Sequence, residues 1–181
     1  EIGKSAKVIA WGLDKMNFEY SERKIDILGV GSLTILKRFD AFLDVVAIAL
    51  KRRPLLNIVL VGDGAENENL KQQAKSLGIK RLQFPGKLPR NEVLNLMMQS
   101  KVLLHTSSFE SQGFVFNEAL ASGMAIVSKK VGIAEESERW LIAESEDQMA
   151  DNLISLLAEK FETQTIVPLK QTVDGYKSLY V

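Results

Sequence analysis

The chain has no cysteine and a single histidine, His105. The first absence removes thiolate nucleophiles, disulfide frameworks and Cys-ligated zinc, and the second removes any multi-histidine metal site. Net charge is missing too. Lys+Arg and Asp+Glu number 23 each and the pI is near 6.9, so no bulk field draws the chain to nucleic acid, and a charge-driven nucleic-acid partner is not expected. No apolar run reaches the ~20 residues of a membrane span, and no basic segment followed by an apolar one opens the chain as a leader would. Internal repeats, low-complexity tracts and long charge blocks are likewise absent. What remains is ordinary globular usage: 181 residues and 20.2 kDa, 46% apolar and 25% charged, enough for one domain with a sizeable core. The first residue is Glu1 rather than Met, which reads as a chain whose upstream part lies elsewhere.

Short apolar runs alternate with amphipathic stretches. Ile25 to Val30 reads as a buried strand that runs into Gly31, and Lys37 to Leu50 as a helix carrying Phe39, Phe42, Leu43, Val46 and Ala49 on one face, ended by Pro54. Asn57 to Val61 is a second strand. A second helix follows with Leu70, Ala74 and Leu77 on one stripe and Gly78 as its C-terminal glycine. Arg81 to Phe84 is a third strand, and Pro89 with Asn91 opens a third helix. The pattern then repeats: strands at Val102 to Leu104, Met124 to Ser128 and Trp140 to Ala143, a helix over about 114–122, and a last helix opened by Ser145 with Gln148 as a capping box. Near-continuous apolar strands between amphipathic helices imply an α/β fold, a doubly wound six-stranded parallel Rossmann-like sheet covered on both faces. Right-handed crossovers then put a ligand crevice at the C-terminal strand ends. Residues 25–162 are the expected domain, 1–24 a linker and the start of that domain, and 163–181 a C-terminal helical extension.

The loops at those strand ends carry the candidate chemistry. Gly29-Val30-Gly31-Ser32 sits where glycines let backbone amides approach an anion, but the dinucleotide fingerprint needs glycine at position 34, where Thr34 stands. A turn that simply requires glycine stays open as the alternative. Gly3-Lys4-Ser5 resembles the tail of a P-loop but precedes a strand-like stretch and is rejected. Lys37, six residues after Gly31, is placed to reach an anion held by the preceding loop, or is an exposed helix lysine. In Thr106 to Ser128, Glu110 follows a strand, Gly113 relaxes the backbone and Glu118 falls in the opening turns of a helix. Two carboxylates facing one crevice, beside the open amides of Gly113 to Val115, suit vicinal hydroxyls and a phosphate. A solvated loop acid and a dipole-favoured helix acid are the plainer readings of the same two residues.

Glu110, Glu118 seven residues further on, and Ala119-Leu120-Ala121-Ser122-Gly123 before a buried strand resemble the E-x7-E signature of retaining glycosyltransferases of the GT-B fold, family 4, the glycosyl transferases group 1. The resemblance covers roughly residues 10–160 and takes in Gly29 to Lys37, Val61-Gly62-Asp63-Gly64, Phe84-Pro85-Gly86 and Gly132 to Glu135. It implies that this is the C-terminal domain, which binds a nucleoside diphosphate sugar, UDP- or GDP-linked, while a separate N-terminal domain holds a saccharide or lipid acceptor. By position, Glu118 would hold the ribose hydroxyls and Glu110 the donor sugar's hydroxyls. Gly31, Ser32, Lys37 and the amides of Gly113, Phe114 and Val115 would take the diphosphate, and Gly86, Lys87 and Leu88 would lie beside the base. Glu110 and Lys37 would be the catalytic pair, with no metal and no cofactor besides the donor substrate.

Departures stand beside these matches. The arginine usual five residues before the lysine is Ser32, Glu-Gly-Phe-Gly is here Glu110-Ser111-Gln112-Gly113, and Ala125 replaces a proline. The resemblance further implies a cytoplasmic enzyme, with peripheral association of the full enzyme at the inner face of a membrane, and a chain inactive on its own because the acceptor domain lies outside it. His105 is expected to be structural, since the matching family position is not catalytic. A nucleotide-sugar epimerase half and a non-catalytic nucleotide-binding or interaction module are the competing readings.

Overall fold

In the computed structural model, which describes residues 22–111 and 113–159, the apolar runs form six strands: β1 Ile25–Val30, β2 Ile58–Val61, β3 Leu82–Gly86, β4 Ser100–His105, β5 Ala125–Ser128 and β6 Trp140–Ile142. Between and after them come α1 Phe39–Arg52, α2 Asn67–Ser76, α3 Arg90–Met98, α4 Phe114–Ala121 and α5 Glu146–Ala158. Among the described residues these six strands pair in parallel in the order β3-β2-β1-β4-β5-β6, the doubly wound arrangement the alternation implies. The expected linker up to residue 21 and the expected C-terminal extension lie outside the described residues.

Alternation along the strands divides the core into two layers. Ile27, Ile58, Leu60, Val102, Leu104 and Val127 face one side, where they meet Phe42, Leu43 and Val46 of α1, Leu70 of α2 and Leu153 of α5. Leu28, Val59, Leu103 and Ile126 face the other, against Met97 of α3 and Phe116 of α4. Both faces of the sheet are therefore dry, which is why the strands read as continuous apolar runs rather than as alternating ones.

Local chemistry sets the boundaries. α5 is capped as expected: Ser145 Oγ accepts from the Gln148 amide at 3.2 Å, while the Gln148 side chain accepts from the Glu144 amide at 2.9 Å. Gly78 has φ 70 after α2, as a C-terminal glycine does. Leu77, expected on the buried stripe, is 39% exposed instead, because α2 ends before it and the chain turns. β3 runs on through Pro85 and Gly86, which an edge strand tolerates since one side of its ladder is open. α1 begins at Phe39, not at the expected Lys37. Ile35–Lys37 forms a separate 3-10 turn, and Arg38 at φ 51, ψ 43 breaks the helical path between the two. At the N-terminal strand ends, Arg23 donates to the Ser122 carbonyl at 2.6 Å and Arg139 to that of Gly123, so two guanidinium groups close the C-terminal end of α4.

Candidate functional site

The C-terminal ends of β1, β2 and β3 are locked together by glycine backbone. Gly31 N–H donates to the Val61 carbonyl and Gly62 N–H to the Gly86 carbonyl, each at 3.0 Å, and Leu33 N–H reaches Asp63 at 3.0 Å. A methyl group on Gly62 would sit 1.8 Å from the Gly31 carbonyl oxygen, so no side chain fits there. This lock bears on the first proposed phosphate loop. The amides of Gly31, Leu33 and Thr34 are already engaged by Val61, Asp63 and Ser32 carbonyls, which leaves the exposed Ser32 to offer its own.

Three consecutive hydroxyls join the 3-10 turn to the loop after β4. Thr106 Oγ1 donates to the Arg38 carbonyl at 2.8 Å, and Ser107 and Ser108 both donate to the Leu36 carbonyl, at 3.2 and 3.1 Å. They add side-chain bonds to the carbonyls of Leu36 and Arg38, and they fix Lys37 against the strand that precedes Glu110. Lys37 Nζ and Glu110 Oε1 accordingly form an ion pair across 73 residues of sequence. Gly31 is part of the same assembly, since a methyl there would meet the Lys37 Cδ at 3.8 Å.

His105, at the end of β4 and 5% exposed, places its Nε2 2.9 Å from the same Glu110 oxygen. The ring stands edge-on to Phe116 of α4, centroids 4.6 Å apart, and its Nδ1 is buried without a partner. The hydrogen bond from His105 is the largest influence holding the Glu110 carboxyl down to about 2 from its ordinary 4.5, with Lys37 adding to it against the opposing cost of burial. Glu110 is thus ionised at neutral pH, and Nε2 is the nitrogen that donates to it. His105 thereby builds the seat of Glu110.

That depression makes stability depend on pH. A carboxylate whose folded pKa lies below its unfolded value contributes fully above the unfolded value and loses that contribution as pH falls from about 4.5 through about 2. Glu110→Gln is expected to lower the unfolding free energy by about 1 to 2 kcal/mol near neutrality, once solvent screening is allowed for, and by almost nothing near pH 2. Urea unfolding of both proteins across that range checks this; a constant offset at all pH values contradicts it.

α4 opens beyond Glu110. Gly113 is its N-cap at φ 77, and a methyl there would lie 2.6 Å from the Phe116 ring, so glycine is required. Among the described residues no side chain caps this end, and the amides of Gly113 and Val115 donate to none of them. Phe114 is exposed while Val115 and Leu88 pack against one core layer. Glu118 is the fifth residue of α4, one turn beyond the N-terminus, where the helix dipole acts on it only weakly. Arg90, opening α3, donates from Nε to Glu118 Oε1 at 2.9 Å. Gly86 holds φ 78 at the end of β3, with Lys87 exposed beside it.

The structure therefore joins Gly31, Lys37 and Glu110, sets Gly113, Val115 and Glu118 at one end of α4, and places Gly86 to Leu88 at and just after the end of the edge strand β3. Arg90, the Thr106 to Ser108 hydroxyls and the seat that His105 makes for Glu110 were not read from sequence.

The profile of the Glycosyl transferases group 1 family matches residues 14–167. Among relatives, the Phosphatidylinositol N-acetylglucosaminyltransferase gpi3 subunit of Schizosaccharomyces pombe is 27% identical over 177 residues, covering 90% of this chain and 39% of its own length. An uncharacterised glycosyltransferase of Haemophilus influenzae is 38% identical over 104 residues, covering 56% of this chain and 29% of its own length. The fold is shared with S. aureus TarM, solved with UDP, at TM-score 0.79 and 16% identity over 96% of this chain and 39% of TarM. It is shared also with the C-terminal domain of a Francisella tularensis group 1 glycosyl transferase, at TM-score 0.67 and 22% identity over 88% of this chain and 86% of that one. The chain thus spans less than two thirds of the curated relatives it matches. With the doubly wound sheet of a GT-B C-terminal domain and a profile match over most of its residues, the chain belongs to the group 1 glycosyltransferase family.

Proposed function

We propose that this domain binds the donor, a UDP- or GDP-linked sugar, for a retaining glycosyltransferase whose saccharide or lipid acceptor is held by a second domain. The observation that carries the reading is the meeting of Lys37 with Glu110 at the strand ends, beside the uncapped mouth of α4 that Glu118 overlooks. An ammonium and the helix-mouth amides of Gly113 and Val115 suit a diphosphate and the charge that builds on it as it leaves. Glu110, kept ionised by His105 and Lys37, accepts hydrogen bonds from sugar hydroxyls, and Glu118, oriented by Arg90, accepts from the ribose diol. Gly86, Lys87 and Leu88 line the base, and Gly31 and Ser32 flank the diphosphate.

Several relatives carry names that describe N-acetylglucosamine or glucose placed on a lipid, which favours a lipid among the acceptors. Chemistry needs donor and acceptor in near-attack geometry, so the domain alone is expected to bind without turnover. Calorimetric titration of the chain with UDP and with GDP should give micromolar to millimolar affinity for one of them, and Glu118→Ala should weaken it by about 10- to 100-fold, the worth of charge-assisted hydrogen bonds. Unchanged affinity in that variant removes the ribose role, and no binding of either nucleotide removes the donor role.

A further inference from the structure

β3 is the outer strand of the sheet, and among the described residues no strand pairs with its outer side. The register says which groups stand open there. Ile58 lies opposite Leu82 and its amide donates to the Arg81 carbonyl at 2.9 Å, so in a parallel ladder the N–H and C=O of Leu82 both point away from β2. The N–H of Phe84, two residues on, points the same way. Pro85 ends the run, since proline has no amide to offer, and the Gly86 carbonyl already accepts from the Gly62 amide at 3.0 Å. A short stretch of open ladder, Leu82 to Phe84, remains.

That stretch is one wall of a groove whose other wall is α2. The half-buried side chains of Leu82 and Phe84 pack toward the core layer that holds Leu70 and Ala74 of the helix, and with Ile79 they floor an open groove of about 400 Å³ between helix and strand. Such a volume accepts a few side chains rather than a whole domain. Lys71 and Lys75, one turn apart on α2, and Lys80, just before β3, rim it. Among the described residues Lys75 and Lys80 meet no carboxylate, and Lys71 meets only the exposed Glu68. Lysine and proline commonly guard an edge strand, a task that Lys80 and Pro85 perform at the two ends of β3. It does not account for a cationic rim across the groove on α2.

We propose that this groove takes up an extended acidic segment of a partner protein, which adds to β3 as a further strand. Main-chain bonds to Leu82 and Phe84 supply the ladder, and side chains at alternate positions of the segment enter the groove. Three of them share that face. A central apolar one covers the floor of Ile79, Leu82 and Phe84, and an acid two residues to either side meets Lys71 at one end and Lys75 with Lys80 at the other. An apolar centre inside a charged rim is the usual build of a protein interface. A lipid headgroup layer would offer the lysines phosphates but no backbone to pair with the edge of β3. None of the groove's residues is assigned to the donor, so the inference stands apart from that reading.

The test is fluorescence anisotropy of the full chain with a labelled peptide of about one strand's length, Thr-Glu-Thr-Val-Thr-Glu-Thr, whose acids and valine share one face. Saturable binding is expected. The isomer Thr-Thr-Glu-Val-Glu-Thr-Thr, which puts the acids on the face opposite the valine, should bind about tenfold or more weakly, and so should the peptide with lysine in place of glutamate. Methylating the backbone amides of the glutamates and valine, or instead those of the threonines, should abolish binding in one case and spare it in the other, because only alternate amides face the edge. These comparisons leave the protein untouched. On the protein side, Lys75→Glu with Lys80→Glu should reverse the preference between the glutamate and lysine peptides. No binding of the first peptide, equal affinity for its out-of-phase isomer, equal effects of the two methylation patterns, an unreversed preference in the folded double variant, or displacement of the peptide by phosphatidylglycerol vesicles overturns the proposal.

Discussion

Gly62→Val is expected to destabilise the domain by about 3 kcal/mol or more, moving the urea midpoint down by at least about 1 M. Position 62 holds φ 147, and any Cβ there would lie 1.8 Å from the Gly31 carbonyl oxygen, so the first two strand ends would have to part. Parting them breaks the bonds from Gly31 to Val61 and from Leu33 to Asp63, and with them the frame that carries Lys37. Gly78→Ala is the control. It has φ 70 but nothing within 4 Å of an added methyl, so only the backbone preference is lost, about 1 kcal/mol. Equal midpoints for the two variants would show that the strand ends are not locked.

How much of this was legible in the sequence depends on the distance over which each feature is decided. Strands buried on both faces write themselves as runs such as Ile58 to Val61, and α1 shows its face through Phe39, Phe42, Leu43 and Val46, so six strands and their alternation with helices were recoverable. The boundary at Lys37 was not, because the left-handed Arg38 that separates it from α1 is imposed by carbonyls bonding to Thr106 in another loop. The acids Glu110 and Glu118 were visible by spacing. Their partners His105 and Arg90 were not, since Arg90 meets Glu118 through the packing of α3 beside α4, and His105 reaches Glu110 through a loop that folds back on its own strand.

Phe116→Ala is expected to cost about 3 to 5 kcal/mol, the range for removing a fully buried ring. Phe116 has no exposed surface and stands between His105 and Trp140, with centroids 4.6 Å from each. The ring therefore carries core packing and the placement of the imidazole together. Phe116→Leu should cost well under half as much, about 1.5 kcal/mol, and stay folded. In that variant His105 loses its edge contact and its hold on Glu110 slackens, so a carbon-detected titration of Glu110 should shift upward from about 2 toward 4.5. A leucine variant with an unmoved Glu110 titration would show that the imidazole is placed by β4 alone.

The contact between Phe116 and Trp140 gives the domain its own optical probe. Trp140 is 4% exposed, its indole N–H donates to Ser128 Oγ at 2.7 Å, and one ring separates it from His105. The only other tryptophan is Trp11, so Trp11→Phe leaves a single tryptophan whose wavelength and quenching follow the imidazole from the face of the sheet that α3 and α4 cover. Events at Glu110 then become readable by fluorescence without a label at the mouth of the crevice.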